Sequence, residues 1–464
     1  MPIIAKGLTK ILTVFSSAAI KVKWLTFLVL SVTAQDLWAL ECAPLTTELS
    51  QKTNAFLQPL NGYDSFQSIT DADLALSCNH QFLNAKMDPW LRNDAPYSVG
   101  GDRQDNRLLF DLKEAWIELA GDNADLRVGN QIVSWGANDA INPTDVWNPS
   151  DLIDPFNPVK LPVEIIKLSV HPLAMGHLIW DFLASPQFRP HRLPIDVSGG
   201  PGSTRSLSPT DSRWLIQSPR VANFGGGVSL PVQYEILGSS KPTDWQLGTR
   251  LRFMSLASWD FSLSYSQTTY ELPAITTKVH GTFGSPTLPV LISVQPNFYR
   301  VSTTGFDLSG VIGTVGVRAE GAIRTPVGSG VMGVPDQNTW VTGGLDRSFF
   351  IGKVELYLNA IFVFEDGTSV SNDPNALSTP SFEPWNRDLV IASELRFSRK
   401  TALGLRSINS FVDEDAWLHP YATFQASDFL KIELGADLFL GSALGFFGQY
   451  ADNNRLTTAV TSSF

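Results

Sequence analysis

The chain has 464 residues, 43% of them apolar and only 17% charged, with a formal net charge of −11. That acidic balance argues against a nucleic-acid partner, since there is no basic surplus to meet phosphate. Past residue 40, no run approaches the roughly 20 consecutive apolar residues of a membrane-spanning helix. No Pro/Gly/Ser linker separates two periodic blocks, so a single large unit is expected despite the length.

In chain order, the first element is an export signal. Lys6, Lys10, Lys21 and Lys23 precede WLTFLVLSVTA, an apolar run of h-region length that ends on Ala34. Residues 1–34 thus read as a signal peptide, with Ala39 as a second candidate cleavage site. Lys21 and Lys23 split the apolar stretch into pieces too short for an anchor, and Glu41 before Cys42 fits a lipidation site poorly. Cys42 and Cys78 are the only cysteines. In an oxidising compartment one disulfide is the simplest expectation, with two free thiols as the alternative. Residues 35–79 are assigned to an N-terminal periplasmic or plug segment.

From residue 107 onward period two dominates. In DWQLGTRLRF, Trp245, Leu247, Leu251 and Phe253 share one face, and Gln246, Gly248, Arg250 and Arg252 the other. GKVELYLNAIFVF and FLKIELGADLFL alternate as cleanly, which argues strand rather than helix. Many runs last about 10 to 13 residues, longer than ordinary sandwich strands and long enough to cross a bilayer at a tilt. Short turns (GDNA, SLAS, IG, SRK, ASD) tend to interleave with long gaps at 136–162, 185–243, 271–296, 325–338, 365–387 and 441–453. Short turns on one rim and long loops on the other characterise outer-membrane barrels, and 13 Trp with 28 Phe suit their aromatic girdles. The expected fold is therefore all-β, a transmembrane antiparallel barrel of about 16 strands over residues 80–464, with a loop folded into the lumen. Both termini fall on the short-turn rim. The gap at 185–243 has room for another strand pair. Within 107–120 the apolar set slips from Leu108, Phe110 and Leu112 to Ala115, Ile117 and Leu119, the mark of a bulge. Pro420 inside 416–425 predicts another.

One connection is too orderly to be a linker. In NQIVSWGANDAINPTDVWNPSDLIDPFNPVK the alternation breaks at Trp135-Gly136, and Asp139, Asn142, Asp145, Asn148, Asp151 and Asp154 then recur every three residues. NPTD and NPSD each place Asn at an N-cap position and Pro at the first helical one, which predicts short helical or 3₁₀ turns. The segment starts at the long-loop end of a strand, so it can fold inward and line a constriction. An oxygen-rich calcium site is a rival reading, but the spacing is not that of an EF-hand and Asx before Pro is mostly turn chemistry. On the barrel wall, Arg250, Arg252, Glu394, Arg396, Lys431, Glu433 and Asp437 fall on polar faces and would point into the lumen. They read either as charge pairs between neighbouring strands or as charges opposed across the constriction to the acidic loop.

The last run, NNRLTTAVTSSF, sets Leu456, Thr458, Val460, Ser462 and Phe464 on one face. A final strand closing on Phe464 resembles the assembly signal of Gram-negative outer-membrane barrels, although Ser462 stands where that signal commonly has an aromatic residue. LRVGNQIVSWGANDAINPTD is similar to an element of poorly characterised porin-like outer-membrane proteins, in which a strand ending in Trp-Gly runs into an Asn-Pro-x-Asp loop. FLASPQFRPHRLP, ending at Pro194, resembles a companion segment of that group, and FFGQYADNNRLTTAVTSSF its closing hairpin. The resemblance implies residence in the cell outer membrane, contact with outer-membrane lipid and assembly by the barrel-assembly machinery. It implies no particular substrate.

The six histidines are scattered, and no H-E-x-x-H, G-x-S-x-G, P-loop or dinucleotide motif is present. No catalytic residue, metal or cofactor is assigned. The leading functional expectation is a channel for passive passage of small-molecule solutes, narrowed by the loop at 136–160. A barrel handling hydrophobic molecules or lipids with an inner-membrane transporter is the alternative, with PTLPVLISVQP at 286–296 as its candidate apolar element. A structural or adhesive barrel is a third reading. A homo-oligomer is expected only by analogy with general porins.

Overall fold

Strict alternation places one side of each strand in lipid and the other in the lumen, and it leaves every edge needing a partner. The computed structural model describes residues 41–464 apart from 60–64, 97–107, 173–175, 194–203, 208–213, 215–220, 225–227, 238–241, 257, 281–289, 329–333, 335–336, 369–385 and 444. The expected signal peptide lies outside the described residues. Eighteen strands meet the demand for partners by closing into an antiparallel barrel. The first six are β1 Thr46–Phe56, β2 Phe66–His80, β3 Leu83–Pro96, β4 Leu108–Ala120, β5 Ala124–Gln131 and β6 Val163–Val170. Next come β7 Leu178–Ser185, β8 Gln246–Leu256, β9 Trp259–Thr269, β10 Arg300–Ile312, β11 Val315–Pro326 and β12 Gln337–Ile351. The wall is completed by β13 Val354–Thr368, β14 Arg387–Ser398, β15 Thr401–Ser410, β16 Asp415–Ser427, β17 Leu430–Leu440 and β18 Arg455–Ser463. Each strand pairs with the next, and β18 pairs back onto β1 with Thr458 opposite Thr53. At the seam, Thr47 and Phe464 exchange backbone hydrogen bonds of 3.0 and 2.9 Å.

The count exceeds the expected sixteen by one hairpin. Within the segment 35–79 assigned from sequence to a periplasmic or plug role, Thr46–Phe56 is β1 of the wall and the strand Phe66–His80 is β2. Their polarity hid them: QKTNAF and SITDAD carry few large apolar residues on the outward face. Cys42 lies directly opposite Cys78 where the short Glu41–Cys42 strand pairs with β2, and the two form a disulfide with an S–S distance of 2.00 Å.

Connections alternate round the barrel. Turns such as 81–82, 313–314, 352–353 and 428–429 occupy one rim, whereas 132–162, 186–245 and 270–299 occupy the other; 411–414 is the one long-rim connection that is itself tight. Parts of the loops 186–245 and 270–299 pair into a separate five-stranded sheet, and among the described residues of 185–243 no further strand joins the wall. Of the stretch 286–296, the described part belongs to Val290–Asn297 of that sheet, paired parallel to Val228–Leu237.

The expected bulge is present: Asp88 faces Glu114 and Pro89 faces Leu112, so Lys113 is the extra residue. Pro420 adds none. Leu418 pairs with Leu438 and Tyr421 with Gly435, an unbroken register. Proline lacks a donor and removes ladder hydrogen bonds without inserting a residue.

Outward side chains such as Leu263, Phe306, Leu358, Phe362, Leu403 and Leu434 stay exposed, as a lipid-facing belt requires. The inward set is polar and buried: Asn54, Asp94, Asp181, Asp307, Glu320, Asn359 and Asp437. Burying so many polar groups is costly unless they find partners. Asn54 accordingly donates to Gln67 (2.9 Å), which donates to Asp94 (3.0 Å), a relay across β1, β2 and β3.

Candidate functional site

The segment from 132 to 162 leaves β5 and is folded inside the barrel. Gly136 has φ +107°, and a Cβ there would lie 2.4 Å from Asn142 Oδ1, so only glycine fits this bend after Trp135. Asn142 Oδ1 accepts the Asn138 N–H (2.9 Å) and its carbonyl accepts the Asp145 N–H (3.0 Å), closing a turn. Asn148 is the staple at the base. Its Oδ1 accepts the Val133 N–H (2.7 Å), and its Nδ2 donates to the carbonyls of Gln131 (3.1 Å) and Leu161 (2.9 Å), drawing both ends of the loop together. Asp151 and Asp154 accept the N–H groups two residues on, from Ile153 (3.2 Å) and Phe156 (3.1 Å), which are Asx turns.

The turn expected at NPTD closes as a single i→i+3 turn on the Asp145 N–H, whereas the one expected at NPSD does not form. Asn148 is committed to the staple, Asp145 to Lys160, and Ser150–Asp151 pairs as a two-residue strand with Val159–Lys160. Long-range partners here outcompete the local caps.

Across the lumen the loop is held by groups on the facing wall. Glu320 of β11 accepts the N–H of Ala137 (3.1 Å) and both the N–H and hydroxyl of Thr144 (2.7 Å each). Asn138 donates to Thr342 of β12 (2.6 Å), and Arg324 donates to the Pro143 carbonyl (3.1 Å). Ile141 packs into Ile361, Val363 and Val390. Three inward-facing glycines make room: a Cβ on Gly305 would meet Thr144 Cγ2 at 2.4 Å, on Gly248 the Trp147 ring at 2.5 Å, and on Gly344 Asn138 Oδ1 at 2.6 Å. At the root, Val133, Trp135, Val146 and Trp147 cluster with Val163, Ile165 and Leu183.

Each loop carboxylate meets at least one cation. Asp139 meets Arg318 (3.2 Å) and accepts from Asn359 (2.8 Å). Asp145 is paired with Lys160; burial pushes its carboxyl above the usual range, and Lys160 opposes that. Asp151 meets Arg192 (2.9 Å) and Arg92 (3.7 Å). Asp154 takes both arms of Arg455 (2.7 and 3.2 Å). Arg455, 0% exposed, also binds Asp437 (2.5 Å), which holds His419 (2.7 Å) and Trp417 (3.1 Å). Removing one member of such a buried set costs roughly 3–5 kcal/mol, because the remaining charge has no solvent. Above this ion cluster Phe156 packs against Trp214, Trp417, Phe439, Phe447 and Tyr450, with ring centroids 4.5 to 6.1 Å away. The loop carboxylates are thus dispersed among separate cations, and among the described residues no three His, Cys, Asp or Glu side chains converge as metal ligands.

The wall residues picked out in sequence line the lumen, but none of them pairs with a loop carboxylate. Arg250 pairs with Asp307 (2.8 Å) and Arg252 with Asp181 (3.0 Å). Glu394 binds Arg396 (2.5 Å) and accepts from Tyr421 (2.9 Å), and Lys431 lies 3.8 Å from Glu433. Asp437 touches the loop only through Arg455. The arginines that do answer the acidic loop are Arg92, Arg192, Arg318 and Arg455. Arg318, Glu320 and Arg324 sit on the polar face of a strand already legible in sequence. Parity shows that they point inward, but not which of them a loop from the opposite side will reach.

A second segment reinforces the first. His191 Nδ1 accepts the Ser150 N–H (2.6 Å), and the Arg192 backbone bonds the loop twice, its carbonyl accepting the Leu152 N–H (2.7 Å) and its N–H donating to the Ser150 carbonyl (3.0 Å). Arg189 anchors this strap on Asp111 of β4 (2.5 Å).

Several solved barrels share the general shape at low identity. OccK2 of Pseudomonas aeruginosa is 12% identical, with 91% of this chain and 97% of that chain covered and a TM-score of 0.48. Wzi of Escherichia coli, described as a carbohydrate-binding outer-membrane barrel involved in capsule assembly, is 12% identical (91% and 84% covered, TM-score 0.46). OmpF of Salmonella typhi is 9% identical (93% and 99% covered, TM-score 0.43). The strand pairing itself, not these likenesses, establishes the barrel. No curated protein sequence matches the chain. The family described as "Protein of unknown function (DUF1302)" matches residues 47–339, more than half of the chain, and the protein belongs to that family.

Proposed function

We propose that this protein is an outer-membrane channel for passive passage of small polar solutes, with the loop at 132–162 as its constriction. The observation that carries the reading is the loop's attachment across the lumen, from its Asn148 staple at β5 and β6 to Glu320 and Thr342 on the far wall. A closed barrel of this size encloses more space than its wall side chains fill, and a loop held at both ends narrows it without being free to leave. The polar, ion-paired inner face supports polar solutes over the alternative of lipids, which would gain nothing from a wall built of Asp181, Asp307, Glu320 and Asp437. On this reading the chain is exported, folded by the barrel-assembly machinery and embedded in outer-membrane lipid.

Single-channel recording in planar bilayers tests it. The intact protein is expected to give stable steps. Glu320→Ala, which strips three hydrogen bonds from the loop, is expected to give larger or noisier steps; each such bond contributes on the order of 1.5–3 kcal/mol when one partner is charged. A correctly folded barrel that stays silent in both forms overturns the channel reading.

A further inference from the structure

Below the first turn of the loop, between Ser134 and the wall of β5 to β8, lies a hollow of about 130 Å³. Its lining carries four cations, Arg127, Lys167, Arg250 and Arg252, against one carboxylate, Asp181. Two of the four are neutralised from behind. Arg127 is held by Glu118 (2.7 Å) and stacked over the Trp116 ring (4.0 Å), and Arg250 by Asp307 (2.8 Å). The other two share Asp181, Arg252 at 3.0 Å and Lys167 at 3.8 Å, and Asp181 also accepts the Ser169 hydroxyl at 2.6 Å. One carboxylate therefore answers two cations, leaving one positive charge facing the hollow. A concave, low-dielectric wall focuses such a charge. The volume holds several waters, and so a carboxylate or phosphate group, whose oxygens match the paired donors of a guanidinium.

We propose that this hollow binds a small oxyanion, carboxylate or phosphate, and so biases the pore toward anionic solutes. The bias rests on the channel reading above; the binding does not. Calorimetric titration of the full-length folded barrel in detergent at low salt, with succinate and with inorganic phosphate, measures binding without conduction. At least one anion is expected to bind, succinate alone indicating a carboxylate site and phosphate alone a phosphate site. Arg252→Gln is expected to weaken binding at least tenfold, and Arg252→Lys to weaken it less. Arg252→Gln leaves Asp181 paired with Lys167, so the buried carboxylate is not orphaned; should that variant fail to fold, Lys167→Gln carries the same expectation. Failure of the folded wild type to bind either anion overturns the proposal, as does wild-type binding by Arg252→Gln. A barrel that binds the anion but does not conduct sinks the channel and spares the site, and one that conducts but binds neither does the reverse.

Discussion

Gly305 shows at one position how the wall and the loop are fitted to each other. It faces inward on β10 between Thr303 and Asp307, and the Thr144 methyl occupies the space a side chain would need, 2.4 Å from the ideal Cβ. Strand interiors usually disfavour glycine, so a glycine there marks a close approach by another part of the chain. Gly305→Val is expected to push Thr144 off the wall, straining its bonds to Glu320, with a cost of about 1–3 kcal/mol typical of overpacking. The check is the thermal midpoint of the folded band on a gel, together with conductance. An unchanged midpoint and unchanged conductance would mean that the loop does not rest on this strand.

At the scale of the element, the loop is a tertiary object rather than a local one. Its Asx residues are spent on Arg318, Arg455, Arg192 and the strand ends instead of on helix caps. The strap at 186–193 locks it through His191, whose ring burial pushes the pKa down to about 4 from 6.5. A depressed histidine pKa means that the detached strap binds more protons than the docked one between those values. Docking is therefore fully favoured above about pH 6.5 and loses stability as the pH falls towards about 4. Protection of the Ser150 amide against hydrogen exchange, corrected for intrinsic rates, is expected to fall across that window. In His191→Gln, with no ring to titrate, the dependence should vanish; if it persists, another group controls the strap.

The whole molecule depends on closure. β18 pairs with β17 on one side and β1 on the other, and Phe464 stacks on Phe429 with centroids 6.3 Å apart while bonding Thr47. An open barrel would leave two rows of backbone groups unsatisfied in hydrocarbon, each costing several kcal/mol. Removing residues 461–464 takes away the rungs Ser50–Thr461, Leu49–Ser462 and Glu48–Ser463. The expected result is loss of the compact, heat-modifiable species. Normal closure of the truncated chain would show that the seam is held elsewhere.

Much of this architecture is legible residue by residue. Alternation in 244–254, 352–364 and 428–440 identifies membrane strands because the lipid and lumen faces of one strand face different solvents, a contrast written directly into neighbouring positions. The bulge in 107–120 is legible for the same reason, as a slip in that contrast. Strands β1 and β2 escape because the outward residues of QKTNAF and SITDAD are polar or small and blur it. The loop's rigidity is foreshadowed by its Asx and Pro spacing, but its anchors are not. Glu320 lies 176 positions from Thr144, and Arg455 lies 301 positions from Asp154. Local period and turn chemistry suffice for the class of fold, for the direction of the side chains on the strands recognised from alternation, and for which connection is too ordered to be a tether. Which inward charges meet the loop follows only from the closed barrel, because closure brings together strands far apart in the chain, and burial of a carboxylate such as Asp154 then makes its cation indispensable.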